Sequence, residues 1–375
     1  MDDDLRQVRT LLDKPPPADA VVHAGRDRLA AAARRRSRRP VWMAAGLTLT
    51  AATAATAVAV ATLGGPAGDV RRPDVTASGP AGDGPGPDAT ATPLDARTVL
   101  LAAATKADEQ ADQAGTYWHS VMLRRDHVRA TSSAGEYIAV DERRDEIWTP
   151  NRPGLDQWMR RQNLGIRPAT PADEAIYKRA GSPATITFPR GLPIPAGPRK
   201  PDISRNKVTE KDATVFWIGR SVSMKDLREL PTDPKRLKAS LLRSYKGHGT
   251  ESSGTPMDSD LWLFTVAKDL VTHMPVTPQV RGAAFRMLAG LPRVRAVGTV
   301  KDAQGRTGTA IGLTEKSEMG GVLQYRLIVD ATGGRALGED AVVLRPGRST
   351  AGLPRGSLWF SVTVVTLEWT HSPPR

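Results

Sequence analysis

Leu358-Trp359-Phe360-Ser361-Val362-Thr363-Val364-Val365-Thr366-Leu367-Glu368-Trp369 is dense in β-branched and aromatic residues, the composition of a strand. Side chains alternate across a strand, so Leu358, Phe360, Val362, Val364, Thr366 and Glu368 share one face. Trp359, Ser361, Thr363, Val365, Leu367 and Trp369 share the other. Both rows are largely apolar, which predicts a strand covered on both sides.

Working back from it, Ala336–Leu344 and Val322–Val329 read as strands about the turn Asp330-Ala331-Thr332-Gly333-Gly334. Arg295–Lys301 and Thr307–Leu313 flank Asp302-Ala303-Gln304-Gly305-Arg306, a hairpin loop in which Gly305 supplies the positive φ. Helical periodicity precedes these strands. It is expected over Asp258–Thr272, Pro278–Ala289, Pro234–Tyr245 with Thr232 as cap, Pro171–Ala180 capped by Thr170, and Asp156–Gln162. Phe188–Pro201 is Pro-rich loop and Val215–Ile218 a short strand. Tyr117–Leu123, Glu136–Asp141 and Asp145–Thr149 read as strands, and a helix capped by Thr92 runs from Pro93 through Ala107. Helices and antiparallel strands together predict an α+β domain over residues 93–375.

Val41–Leu63 holds 23 residues without a charge, nine of them Ala and five Thr, directly after Arg34, Arg35, Arg36, Arg38 and Arg39. At 1.5 Å per residue, about 20 helical residues cross an apolar layer of about 30 Å. The expectation is a single transmembrane helix anchored by Arg38, Arg39, Trp42, Leu47, Leu49, Val58, Val60 and Leu63, with residues 1–40 cytoplasmic. A competing reading makes Ser37-Arg38-Arg39-Pro40-Val41-Trp42 a twin-arginine export signal cleaved after Ala59-Val60-Ala61. Residues 1–40 carry two short amphipathic stretches, Leu5, Val8, Leu11, Leu12 and Val21, Val22, Leu29, Ala33, suited to a cytoplasmic protein partner. Residues 64–92 read as a disordered Pro/Gly-rich linker.

The chain has 53 Lys and Arg against 40 Asp and Glu, a formal charge of +13, and no cysteine. Disulfides, thiolate metal sites and Cys nucleophiles are therefore excluded. The basic residues are scattered without a nucleic-acid-binding pattern, so no nucleic acid is expected as partner. No H-E-x-x-H, G-x-S-x-G, P-loop or dinucleotide glycine pattern occurs, and no two of His23, His119, His127, His248, His273 and His371 have metal-ligand spacing. No metal, cofactor or catalytic residue is expected. Ser204-Arg205-Asn206-Lys207 matches S-x-x-K, but its partners S-D-N and K-T-G are absent. Asp141, Glu142, Asp145 and Glu146, interleaved with Arg143 and Arg144, predict a salt-bridged strand turn. Asp258 and Asp260 fall where carboxylates favour a helix start. His119 and the tryptophans read as packed side chains.

Several short stretches carry a resemblance. They are Leu230-Pro231-Thr232-Asp233-Pro234 with Leu237, then Val280-Arg281-Gly282-Ala283-Ala284 through Leu291-Pro292-Arg293-Val294. Asp302-Ala303-Gln304-Gly305-Arg306 and Ile328-Val329-Asp330-Ala331-Thr332-Gly333 follow. With the tail, basic stop and linker, the chain resembles a family of uncharacterised membrane-tethered proteins of actinobacteria, often encoded beside extracytoplasmic-function sigma factors. Where relatives tend to read L-P-G-V this chain has Arg293, read as a minor change in a turn. The plan also looks like the curved half-barrel of lipoprotein carriers and anti-sigma regulators, a likeness of fold alone. The resemblance implies a non-enzymatic, membrane-tethered protein whose extracytoplasmic domain binds an envelope ligand or partner in sigma-factor-linked regulation. The alternative is a carrier of lipid or another apolar molecule.

Overall fold

The computed structural model describes residues 95–188, 193–209, 214–250, 256–317 and 319–374. The expected tail, apolar span and linker lie outside the described residues, as do the eight anchor residues and His23.

The elements in chain order are α1 (Ala96–Asp108), β1 (Tyr117–Ser132), β2 (Gly135–Pro150), β3 (Asp156–Pro168), α2 (Pro171–Arg179), β4 (Thr185–Ile186), β5 (Ile194–Pro195) and β6 (Asp202–Lys207). There follow β7 (Thr214–Trp217), β8 (Arg220–Ser223), α3 (Met224–Arg228), α4 (Pro234–Leu242), α5 (Ser259–Thr272) and α6 (Pro278–Ala289). The series closes with β9 (Arg295–Lys301), β10 (Thr307–Ser317), β11 (Gly321–Asp330), β12 (Arg335–Pro346) and β13 (Leu358–Thr370). Nine strands form one sheet in the order β6-β3-β2-β1-β13-β12-β11-β10-β9, every neighbouring pair antiparallel.

Two expectations are corrected here. The class is mostly sheet, not the expected α+β arrangement carrying a membrane helix. Asp156–Gln162, expected as helix, lies in β3, because its Trp, Met, Arg and Gln side chains are recruited into pairing with β2 and β6 and tertiary pairing overrides local propensity. Likewise Glu136–Asp141 and Asp145–Thr149 are one unbroken strand. The charged residues between them are mid-strand and not a turn. Second, no helix among the described residues is long and apolar enough to cross a membrane. The longest, α5, has 14 residues and spans about 21 Å at 1.5 Å per residue, short of an apolar layer of about 30 Å. The single-pass placement, with its cytoplasmic N-terminus and extracytoplasmic domain, is corrected to this extent: no described helix supports it.

α6 shows how the helices form. Thr277 accepts from the Val280 N–H at 3.3 Å, Pro278 takes the first turn, and Val280, Ala283, Ala284, Met287 and Leu288 make the buried stripe. Asp258 caps α5, accepting from Asp260 and Leu261 N–H. Asp233, not Thr232, caps α4. α1 begins at Ala96 behind Asp95, which makes no side-chain cap. Together α1, α4, α5 and α6 bury Leu100, Leu237, Trp262, Phe264 and Phe285 against Ile311 and Leu327 of the sheet, each worth about 1.5–3 kcal/mol of burial. A second, smaller cluster sets Ile176 and Tyr177 of α2 against Tyr137, Ala139 and Ile166.

Two of the short resembling stretches meet beside the end of α1. Gln110, just past α1, donates to the Gly333 carbonyl at 2.8 Å and accepts from Arg281 at 2.7 Å. Gly334, at φ 64°, lets this turn dock on α1, because a Cβ there would meet the Ala107 nitrogen at 2.4 Å. Arg293 is more than a turn variant: it pairs with Asp258 at 2.5 Å and Glu315 at 2.7 Å, tying the start of α5 to β10.

One ion pair is sealed between the helical layer and the sheet. Lys268 of α5 donates to Glu339 of β12, and both are about 5% exposed. Burial pushes the Lys268 ammonium below its usual range, against the opposing pull of Asp269 and Asp340. A buried pair costs more to break than to replace. Lys268→Met should therefore lower unfolding free energy by about 3–5 kcal/mol in urea titration. Lys268→Met combined with Glu339→Leu should recover most of that loss.

Candidate functional site

Strand alternation fixes the two faces of the sheet. Glu339 faces the helices through Lys268, so Asp340 faces away from them. Register then places Ser361 opposite Asp340 and Arg125 opposite Ser361. On that outer face Glu142 lies opposite Arg125 and Val140 opposite His127. Arg167 lies opposite Val140. The tip of the β9–β10 hairpin folds across this face: Ala303 N–H meets the Thr363 hydroxyl at 3.4 Å, and Arg306 donates to the Val364 carbonyl at 2.6 Å. The tip is shaped by Asp302, which accepts from the Gln304 and Arg306 amides, with Gly305 at φ 79°.

Between this tip and the strands lies a cavity of about 240 Å³, lined by Arg125, His127, Arg167, Lys301, Ser361 and Thr363 among others. Its charges are unevenly satisfied. Of the lining acids, Asp302 is held by Arg306 at 2.6 Å and Asp340 bidentately by Arg326 at 2.5 and 2.7 Å, while the Glu339 carboxylate is turned to the helical side and held there by Lys268. The cations fare otherwise. Arg125 at 3.2 Å and Arg167 at 3.7 Å share the single carboxylate of Glu142, and Lys301 has no ionic partner among the described residues. Two positive charges are left over.

Several buried nitrogens on this face are unmet. Arg125 Nε and His127 Nδ1 are buried without a hydrogen-bond partner, and so is Arg129 Nε, two residues further along the same face of β1. Such groups are rare, because leaving a buried polar atom unpaired costs about 1–3 kcal/mol. Burial pushes the His127 imidazole below its ordinary value near 6.5. Asp126 opposes that shift, and the Arg125 and Arg167 guanidiniums add to it. The site is thus an electropositive recess with a neutral imidazole at its base. It offers hydrogen bonds and charge to a bound oxyanion, without a nucleophile and base in contact.

The residues singled out in the sequence fall elsewhere. Ser204 and Lys207 of S-x-x-K lie on the exposed edge strand β6, three residues apart and therefore on opposite faces. His119 is packed: it stacks on Trp148 at 4.5 Å and bridges Glu146 and Glu368 at 3.1 Å each. Trp118, Trp148, Trp217 and Trp262 are buried. Asp145 and Glu146 are matched to Arg161 and Arg160 across the strands. Among the described residues no group of three or more His, Asp or Glu is placed to hold a metal ion. The sequence reading misses the residues that do converge, because it ends β1 at Leu123, short of Arg125 and His127, and assigns no strand to Arg167 of β3. Carrying the β1 alternation nine residues further reveals the basic row Arg125, His127, Arg129.

No family model, no curated protein and no solved structure matches this chain.

His127 makes stability depend on pH. Its folded value lies below 6.5, so unfolding takes up a proton as pH falls beneath 6.5, and unfolding free energy is larger at pH 7 than at pH 5. In His127→Gln the difference between urea unfolding free energies at pH 7 and pH 5 should shrink.

Proposed function

We propose that the protein binds a small oxyanion, a phosphate or carboxylate group on a compact molecule, in the outer-face cavity, and does so without covalent chemistry. The observation that carries this reading is the pair of buried, unpartnered nitrogens of Arg125 and His127 beside two guanidiniums that share one carboxylate. An oxyanion accepts from Arg125 Nε and, in the tautomer protonated at Nδ1, from His127, and takes up the surplus charge; charge-assisted bonds to the guanidinium are the strong ones. The cavity is smaller than the 300–1,000 Å³ usual for drug-sized ligands, which favours a compact ligand over a polymer. Its polar lining disfavours an apolar occupant. In this reading ligand occupancy is the input to the regulatory role that the family resemblance implies.

Thermal unfolding in inorganic phosphate, with chloride at matched ionic strength as the control, tests the proposal. Phosphate should raise Tm saturably, following RT ln(1 + [L]/Kd), and shift the His127 ring resonances. Arg125→Gln should weaken the effect about tenfold or more, the loss of a bond of about 1.5–3 kcal/mol. Equal Tm in phosphate and chloride, for the native sequence, overturns it.

A further inference from the structure

A second recess lies away from the sheet face, between the β7–β8 hairpin and α4. Its volume is about 400 Å³, and it is lined by Trp217, Ile218, Val222, Leu230 and Leu241 together with the cations Arg220, Arg243 and Lys246. Two independent features single it out from ordinary surface.

The first is chemical. Trp217 is 3% exposed, and its indole N–H is buried without an acceptor. A buried tryptophan ordinarily finds a partner for that group. The second is conformational. Ile218 holds φ at 49° and Gly219 at 75°, the pair of positive values that a two-residue hairpin turn demands. Gly219 meets the demand freely, but a β-branched residue in the left-handed region is a true outlier. Strain of this kind costs about 1–3 kcal/mol and collects where a ligand is bound. An asparagine or glycine would build the same turn without strain, yet would withdraw an apolar side chain from the recess wall.

The charges complete the pattern. Among the described residues Arg220 and Lys246 have no ionic partner, and Arg243 only donates to the Ser240 hydroxyl at 2.9 Å. The one lining acid, Asp226, is engaged as the cap partner of Ser223 at the start of α3. The recess therefore combines an apolar wall, an unmet hydrogen-bond donor and a cationic rim. We infer that it is a binding site for an amphiphilic anion, an aliphatic chain ending in a carboxylate, with the chain against Ile218, Val222 and Leu241 and the head among Arg220, Arg243 and Lys246. This site is separate from the outer-face cavity, and the two readings stand or fall apart.

The probe is decanoate below its micelle concentration, with acetate as the head-group control and inorganic phosphate as the control for the other cavity. The readout is the Trp217 indole N–H resonance, assigned sequentially or as the signal missing in Trp217→Phe. Decanoate should shift it saturably, whereas acetate at equal concentration should bind at least about tenfold more weakly, since burying the chain is worth well over 1.4 kcal/mol. Phosphate should move His127 and leave Trp217 in place. Arg243→Gln, a change on the rim, should weaken decanoate about tenfold. Ile218→Gly should weaken decanoate roughly fivefold through the lost wall. An indole signal that decanoate leaves unmoved in natively folded protein overturns the assignment, as does a response equal to that of acetate or undiminished in Arg243→Gln.

Discussion

Ten residue pairs between β1 and β13, from Tyr117 with Thr370 to Asp126 with Phe360, hold the sheet together. On one side stand β1, β2, β3 and β6; on the other stand β13 to β9, each a run of neighbours in chain order or nearly so. This seam is their one strand-to-strand junction within the nine-stranded sheet. It joins residues far apart in sequence, such as His119 and Glu368, separated by 249 positions. The entropy of closing so long a loop grows only logarithmically with its length, so a seam of this extent suffices once both ribbons exist. The outer-face cavity depends on it directly, because Arg125 and His127 come from one ribbon and Ser361, Thr363 and the β9–β10 tip from the other. The Trp118 indole, which donates to the His273 carbonyl at 2.8 Å, ties the same seam to the helical layer.

Charge is organised by the alternation of β12. Glu339 and Asp340 are neighbours in sequence and point to opposite faces, each claimed by a cation of its own side, Lys268 from α5 and Arg326 from β11. Burial raises the Asp340 carboxyl, and Arg326 opposes that shift. With both acids paired, the field of Arg125, Arg167 and Lys301 in the cavity is offset by the one carboxylate of Glu142. The packing of the helices thus contributes to the electrostatics on the far side of the sheet.

Much of the second half was legible from sequence. The Leu358–Trp369 alternation, the Asp302–Arg306 loop and the Pro278 start of α6 are local signals, and each element appears within a few residues of its expected bounds. The first half was harder. β1 and β2 carry as many charges as apolar residues where no helix covers them, so hydropathy alternation fades at Leu123 although pairing continues to Ser132. β3 is written in residues that favour helices. The candidate site was illegible for the same reason: Arg125, His127 and Arg167 look like solvated charges until register places them around one hollow. Arg293 shows the reverse error, a residue discounted as turn decoration that joins two layers.

The bipartite sheet also has a consequence for synthesis. On the ribosome β1 emerges long before β13, and its ladder toward β13 stays open until more than two hundred further residues have been made. During that interval the growing chain presents an unpaired edge, the kind of surface that invites wrong partners. Arg124, Arg125, Asp126, His127 and Arg129 give that edge the charged side chains that disfavour intermolecular pairing.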